Sequence, residues 1–436
     1  MLSASDNETL TRVGPGTLMG DLFRQYWLPA LSSSELADAD GPPMRVRLLG
    51  EDLVAFRNTR GEVGLLGEQC PHRGASLYYG RNEQDGLRCV YHGWKYDVTG
   101  QCVDMPSEPA GSNFRDKVRQ TAYPCVERNG LIWTYIGSRA EAPAPPEYEF
   151  AVVPEAHNVS APITLACNWL QILEGDLDSV HSDFLHRALT DAEIAGGRSP
   201  VDPAGYVPPS VEVAQTDYGL AKGARRDHGD NEYYWRIYQY MLPSVVLLPA
   251  NQDSIMYRMT IPIDDDHTTF WNGQYCPSRP LSDEERQRHL ASRAPGGYQA
   301  PTADPRSRWR PVANRDNDYL LDREAQATKR YSGIPPIKLQ DVAMTESMGP
   351  VTNRMREHLG TTDAAIIQMR RVMLRAANAL REFGTVPAGV DDPSVFRVRS
   401  ATAILPRDVS WLAETQRALQ AIQDEPVLSA PRPPVR

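Results

Sequence analysis

The sequence predicts an α+β protein of two domains, a small all-β domain followed by a larger one that mixes antiparallel strands with helices. Three observations carry this. The chain has 436 residues, more than one simple core usually holds. Residues 45–137 break into short strand-like runs separated by tight turns. The proline-rich run Arg139–Pro146 then separates them from a region where strand patterns alternate with helical ones.

Taken in order, residues 1–40 are expected to be a helical segment that packs on the larger domain. The small domain spans 41–138, with strands at Val46–Leu49, Leu53–Arg57 and Glu62–Leu66. A hairpin Lys95–Val103 follows, with Thr99-Gly100 at its tip, and the strand Leu131–Ile136 closes the domain before Gly137. A linker covers 139–150 and the larger domain 151–424. Its clearest strands are Ile255–Ile261 and Thr268–Tyr275. Its clearest helix is Thr362–Phe383, with Ile366, Met369, Met373 and Leu380 on one face, a stripe that reads as core packing. The Arg-rich, Pro- and Gly-containing stretch from Pro280 to Pro336 reads equally as a long flap or a surface insertion. The tail, 425–436, is proline-rich and extended.

Composition narrows the function class. A chain with 41% hydrophobic and 23% charged residues is that of a soluble globular protein. A net charge of -10 and a pI near 5.5 argue against nucleic acid as the main partner. No stretch reaches the length of a membrane span, and Met1–Leu10 lacks the blocks of a signal peptide. Cys102, Cys125, Cys167 and Cys276 are scattered and read as reduced thiols, so a cytoplasmic location is expected.

The most specific signal is Cys70-Pro71-His72, followed after 16 residues by Cys89-Val90-Tyr91-His92. Each short loop supplies one thiolate and one imidazole. That is the ligand set of a Rieske [2Fe-2S] centre, in which two Cys hold one iron and two His the other. A zinc site would usually pair Cys with Cys and His with His. The order here alternates. High-potential centres of this type resemble one another in an extra Cys in each loop and a Ser after the second His-Gly. Here Gly93 is followed by Trp94, which predicts few hydrogen bonds to the sulfurs and a low potential.

Such a centre moves single electrons, so the larger domain should hold a group that uses them. Asp178-Ser179-Val180-His181-Ser182-Asp183-Phe184-Leu185-His186 offers two His and one Asp. Two imidazoles and one carboxylate on Fe(II) leave positions open for dioxygen and substrate. On a regular helix His181 and His186 lie about 140° apart, so joint ligation requires the segment to bulge or unwind near Ser182-Asp183. Four of the nine histidines fall in these two motifs. Spacing alone leaves the third ligand open among Asp341, Glu346 and their neighbours.

With both motifs in this order, the chain resembles, over nearly its whole length, the large subunit of Rieske non-haem iron aromatic-ring oxygenases. It is most similar to the phthalate dioxygenase branch, through Gly14-Pro15-Gly16-Thr17-Leu18-Met19-Gly20, Cys70–Leu77 and Gln340–Pro350. The resemblance implies a helix-grip catalytic domain, a Rieske cluster on Cys70, His72, Cys89 and His92, and a mononuclear Fe(II) on His181, His186 and Asp341. A helix-cap role is the plain alternative for Asp341. The Asp matching Asp178 bridges an iron His to a Rieske His of the neighbouring subunit, here His92. The family usually assembles as a head-to-tail trimer. Electrons then come from a separate NAD(P)H-dependent reductase with flavin and iron-sulfur groups, since no nucleotide fingerprint occurs in this chain. Dioxygen and an aromatic small molecule are the implied substrates.

Branch members mostly take aromatic acids, phthalate-like or phenoxybenzoate-like, whose carboxylate needs a cation. Arg225, Arg226 and Arg236 are the candidate anchors, with surface exposure the competing reading. O-demethylation of methoxylated lignin-derived acids is the alternative reaction, and a Rieske electron-transfer protein the non-enzyme alternative. The latter would need neither the His pair nor so long a second domain.

Overall fold

The computed structural model describes residues 2–189, 206–250, 253–292, 294, 296–422 and 426–431. It divides into two compact units, Val13–Pro145 and Met1–Arg12 with Pro146–Arg436. The first boundary falls earlier than the expected 40/41. Of the first forty residues only Met1–Arg12 group with the larger unit. Trp27–Ser32 instead forms a strand in the smaller one, paired antiparallel with Leu131–Tyr135. Its run of buried apolar residues, Trp27 to Leu31, is better suited to a sheet core than to a helix face.

The smaller unit is built from three antiparallel sheets. Met44–Leu48, Glu51–Arg57, Val63–Gly67 and Ala122–Tyr123 form one. Its first turn places Leu49 at φ 50° and Gly50 at φ 80°, the left-handed pair a two-residue hairpin needs, so Leu49 belongs to the turn and not to the strand. A second sheet, Arg81–Glu83, Gly86–Arg88, Lys95–Tyr96 and Cys102–Asp104, carries Cys89–Trp94 as the loop between its middle strands. Val54, Phe56, Leu66, Leu77, Leu87 and Tyr96 pack under this loop, in one core with Cys70 and Cys89.

The larger unit holds an eight-stranded sheet, antiparallel throughout. Asn158–Leu165, Thr268–Tyr275, Ile255–Pro262, Val245–Pro249, Glu232–Met241, Gly219–His228 and Ser210–Thr216 are neighbours in that order. Ala401–Pro406 adds to the outer half of Glu232–Met241. The edge strand Ser210–Thr216 alternates in burial, while Ile255–Pro262 is buried at nearly every position, as a strand covered on both faces must be. Helix Trp169–Leu177 packs on this sheet, and so does helix Ala364–Phe383, which meets the first helix as well. The latter buries Ile366, Met369, Met373 and Ala377 at helical spacing and ends at Gly384 in the left-handed conformation. Glu174 receives Arg354 and Arg370, which ties both helices together. This is the α+β, helix-grip arrangement the sequence predicts.

Of the stretch from Pro280 to Pro336, the described residues 282–310 are mostly exposed, while its later part joins the core. Ala313, Tyr319 and Ile334 pack with Phe270, Leu339 and Val342, and Tyr319 donates its hydroxyl to the buried Glu346. Of the tail, Leu428 and Ala430 exchange backbone hydrogen bonds with Thr402. No disulfide links the six cysteines. No helix among the described residues is long and apolar enough to cross a membrane.

Candidate metal centres

The two short loops of the smaller unit close in the same way. Cys70 N–H donates to Ala75 O and Gly74 N–H to Cys70 O; Cys89 N–H donates to Trp94 O and Gly93 N–H to Cys89 O. Gly74 and Gly93 stand at φ 75° and 82°, and a Cβ on Gly93 would sit 2.7 Å from Pro106 Cγ. These turns set both thiols inward, each 2% exposed, and bring the His72 and His92 rings to 4.4 Å between centroids. Trp94 stacks on His72 at 4.3 Å and anchors its own indole N–H on Ser107. Burial pushes the Cys70 thiol up, with Cys89 adding to it. His72 Nδ1 is buried without a hydrogen-bond partner among the described residues. Two buried thiols beside two imidazoles, one with a ring nitrogen engaged by no described residue, make a donor set that fits a two-iron cluster.

One detail departs from the sequence reading. The Tyr96 hydroxyl lies 3.3 Å from Cys70 Sγ, a hydrogen-bond partner for a ligand sulfur where few were expected. Tyr96 points back into the loop because it ends the strand that follows it.

In the larger unit, helix Trp169–Leu177 stops at Asp178, whose backbone turns extended at φ -78°, ψ 133°. The Asp178 carboxylate accepts from Val180 N–H at 2.7 Å and restarts the chain as the short helix His181–Phe184. His181 opens that helix and His186 lies just past its end. The unwinding therefore falls on both sides of the short helix, and not at Ser182-Asp183. Both rings are thereby turned toward Asp341 on helix Ile337–Ser347, with centroids 5.1 Å apart. Asp341 Oδ1 lies 3.1 Å from His186 Nε2 and 3.6 Å from His181 Nε2. One ligand atom from each of the three lies within 4.8 Å of the others, a fit for a divalent ion.

The neighbours fix the protonation states. His186 Nδ1–H donates to Gln340 Oε1 at 2.8 Å, which leaves Nε2 facing Asp341. Burial would raise the Asp341 carboxyl, but Lys338 at 3.0 Å and the two imidazoles outweigh it and hold it well below the usual range. Burial opposes charge on His181, yet Asp178, 3.3 Å from Nδ1, and Asp341 raise it. Lys222 lies beneath this break in the chain, buried, donating to Leu177 O at 2.6 Å and Ser179 Oγ at 2.5 Å over the Tyr238 ring. Lys222, Lys338 and Gln340 were not singled out from the sequence. A lysine three residues before the ligand Asp was the one local signal.

The candidate anchors separate. Arg225 stacks on Tyr233 and lies 3.5 Å from Glu212, and Arg226 is paired with Asp183. Arg236 donates through one terminal nitrogen to Pro249 O at 3.3 Å, while its buried Nε has no partner among the described residues. Arg236 and Arg226 line a cavity with Ser179, Ser182, Tyr234 and Tyr238, beside the His181 segment.

Comparison with known proteins agrees with this geometry. Residues 26–124 match the Rieske [2Fe-2S] domain, and residues 134–428 match the family described as LigXa C-terminal domain like. The chain is 38% identical to the 3-chlorobenzoate-3,4-dioxygenase oxygenase subunit of Comamonas testosteroni, over 97% of this chain and 100% of that one. It is 36% identical to the phthalate 4,5-dioxygenase oxygenase subunit of Pseudomonas putida, over 99% of each. It is 31% identical to the 5,5'-dehydrodivanillate O-demethylase oxygenase subunit of Sphingobium sp. (strain NBRC 103272 / SYK-6), over 91% of this chain and 85% of that one. In fold it is similar to NdmA of Pseudomonas putida CBB5 with caffeine, at a TM-score of 0.60 and 20% identity, over 90% of this chain and 100% of that one. Two metal centres, a Rieske domain and full-length likeness to these subunits place the chain in the Rieske non-haem iron oxygenase family, as a large, oxygenase subunit of its phthalate dioxygenase-like branch.

Proposed function

We propose that this oxygenase hydroxylates an aromatic carboxylate held by Arg236. The observation that carries the reading is Arg236 Nε, buried and without a hydrogen-bond partner among the described residues, on a narrow cavity that Ser179 and Ser182 also line. A guanidinium so placed meets a carboxylate in a fork of two hydrogen bonds and loses little by desolvation that it does not regain. Arg225 Nε is also buried without a hydrogen-bond partner among the described residues, but it lies 3.5 Å from Glu212 and does not line the cavity. Arg226 is paired with Asp183, which favours Arg236 as the anchor. Ser179 and Ser182 supply further hydroxyls to the same cavity.

Cys70 and Cys89 would hold one iron of the cluster and His72 and His92 the other; His181, His186 and Asp341 would hold the mononuclear iron. When bound, the cluster supplies electrons singly and the mononuclear iron supplies the place where dioxygen is reduced. Around them, Gln340 orients His186, and Asp178 orients His181 and connects it to His92 of the next copy in a head-to-tail trimer. Asp178 is thereby the group that couples the protonation of the two imidazoles. A separate NAD(P)H-dependent reductase with flavin and iron-sulfur groups supplies two electrons per turnover. Substrate, dioxygen, NADH and a proton give a cis-dihydrodiol and NAD+.

Likeness to an O-demethylase subunit supports a second reading, in which a methoxyl group gives a phenol, formaldehyde and water for the same two electrons. Turnover with reductase, NADH and a panel of phthalates, phenoxybenzoates and methoxybenzoates decides between them. A dihydrodiol or catechol without formaldehyde is expected; formaldehyde in step with a new phenol establishes the demethylase. Arg236→Leu should raise KM for the carboxylate substrate by about ten- to a hundredfold, the loss of a charged hydrogen-bonded pair. An unchanged KM would remove Arg236 from the substrate site.

A further inference from the structure

The carboxylate of Asp341 is divided between two partners. Oδ1 faces the imidazoles, 3.1 Å from His186 Nε2, while Oδ2 accepts from Lys338 Nζ at 3.0 Å. Lys338 lies one turn earlier on the same helix and is 8% exposed, with its ammonium 5.3 Å from the centroid of the Phe270 ring. A lysine at this place is unfavourable on two counts. It is buried, and it is the second residue of helix Ile337–Ser347, where the helix dipole disfavours a cation. Its contact with Asp341 works against both, and the i, i+3 spacing holds the pair together.

We infer that Lys338 restricts Asp341 to a single ligating oxygen. This rests on Asp341 being a ligand of the mononuclear metal. Two imidazoles and one carboxylate oxygen occupy three positions on a divalent ion; a second oxygen from the same carboxylate would occupy a fourth. Lys338 would therefore leave that fourth position free on a bound ion. It does so from outside the ligand set, as a positioning residue.

The test uses the full-length chain labelled with 13C at the aspartate carboxyl, depleted of its mononuclear metal, and Zn(II) alone as the probe. The infrared difference between Zn(II)-loaded and depleted protein reports the separation of the antisymmetric and symmetric carboxylate stretches. That separation is wide for one-oxygen and narrow for two-oxygen binding. The wild type should show the wide separation. Lys338→Met should show the narrow one and bind Zn(II) about tenfold more tightly, having lost a neighbouring positive charge and gained a ligand atom. Lys338→Arg, which keeps a donor on Oδ2, should restore the wide separation. A narrow separation in the wild type, or the same separation in wild type and Lys338→Met, overturns the inference. Tighter binding with unchanged bands assigns Lys338 a charge effect alone and overturns it as well. Should Lys338→Met not fold, Lys338→Leu, which likewise has no donor for Oδ2, gives the same reading. Asp341→Asn separates the two claims: if it binds Zn(II) as the wild type does, Asp341 is no ligand and the parent assignment fails.

Discussion

Gln340 decides which nitrogen of His186 faces the proposed metal site. Its Oε1 accepts Nδ1–H at 2.8 Å while its Nε2 is held by Ile334 O at 2.7 Å, so the amide cannot rotate away. The ring is thus held in the tautomer with a lone pair on Nε2. Gln340→Leu fills a similar volume but orphans the imidazole N–H, and metal affinity should fall by roughly ten- to a hundredfold. An Fe(II) or Zn(II) titration of the depleted protein reads this, and equal affinity would show that packing alone orients the ring. Lys222 makes a prediction of another kind. Burial lowers its ammonium from 10.5 to about 7, with Asp178 opposing the shift and Arg236 adding to it. Below pH 7 the lysine is protonated in both the folded and unfolded chains. Between about 7 and 10.5 the unfolded chain binds the extra proton, so stability from this group rises with pH across that window. Lys222→Met removes the dependence. The wild type should therefore gain on the variant by a few kcal/mol from pH 7 to pH 10, read from denaturant midpoints at each pH. A constant difference would mean that Lys222 keeps its proton across this window in the folded chain as it does in the unfolded one.

At the scale of single elements, the two cluster loops depend on backbone positions more than on side chains. Gly93 combines φ 82° with a Cβ position 2.7 Å from Pro106 Cγ, so any larger residue must displace Pro106 or open the turn. Gly93→Ala should destabilise the loop by on the order of 1–3 kcal/mol and lower the cluster content per chain. Acid-labile sulfide and the visible spectrum measure the loss, and full occupancy would contradict it. These loops were legible in the sequence because every ligand is local: a Cys, a His two or three residues on, and a Gly to close the turn. The His181 segment was legible in its chemistry and not in its shape. The sequence shows that His181 and His186 cannot share a regular helix face, but not that Asp178 interrupts the helix by capping Val180 N–H. Residues whose partners are distant were not legible at all. Gln340 meets His186 across 154 residues, and Lys222 meets Leu177 across 45, contacts that no periodicity records. Arg236 was one of three candidates of equal standing in the sequence, and the nearness of Glu212 to Arg225 and of Asp183 to Arg226 is a contact between distant residues that the sequence does not record.

For the whole molecule, the proposed relay makes activity a property of the assembly. The proposed cluster ligands all lie in the unit Val13–Pro145 and the proposed ligands of the mononuclear site all lie in Pro146–Arg436. If electrons pass from His92 of one chain to Asp178 of the next, a chain needs one working centre of its own and the other from its neighbour. Two inactive variants then rescue each other. Cys70→Ser keeps the mononuclear site without a cluster, and His181→Ala keeps the cluster without that site. Each alone should be inactive. In a head-to-tail ring formed by co-expression in equal amounts, each interface is heterologous and has a direction. A His181→Ala chain donating to a Cys70→Ser chain occurs at about one interface in four, so about a quarter of wild-type turnover should return. Adding Asp178→Asn to the Cys70→Ser chain places the broken link at the receiving side, and the restored turnover should disappear while both metals stay bound. If electrons instead pass between the two centres of one chain, every chain in the mixture lacks one of them. Mixed assemblies would then be as inactive as their parents. The rescue experiment therefore distinguishes a catalyst made by one chain from one that exists only where two chains meet.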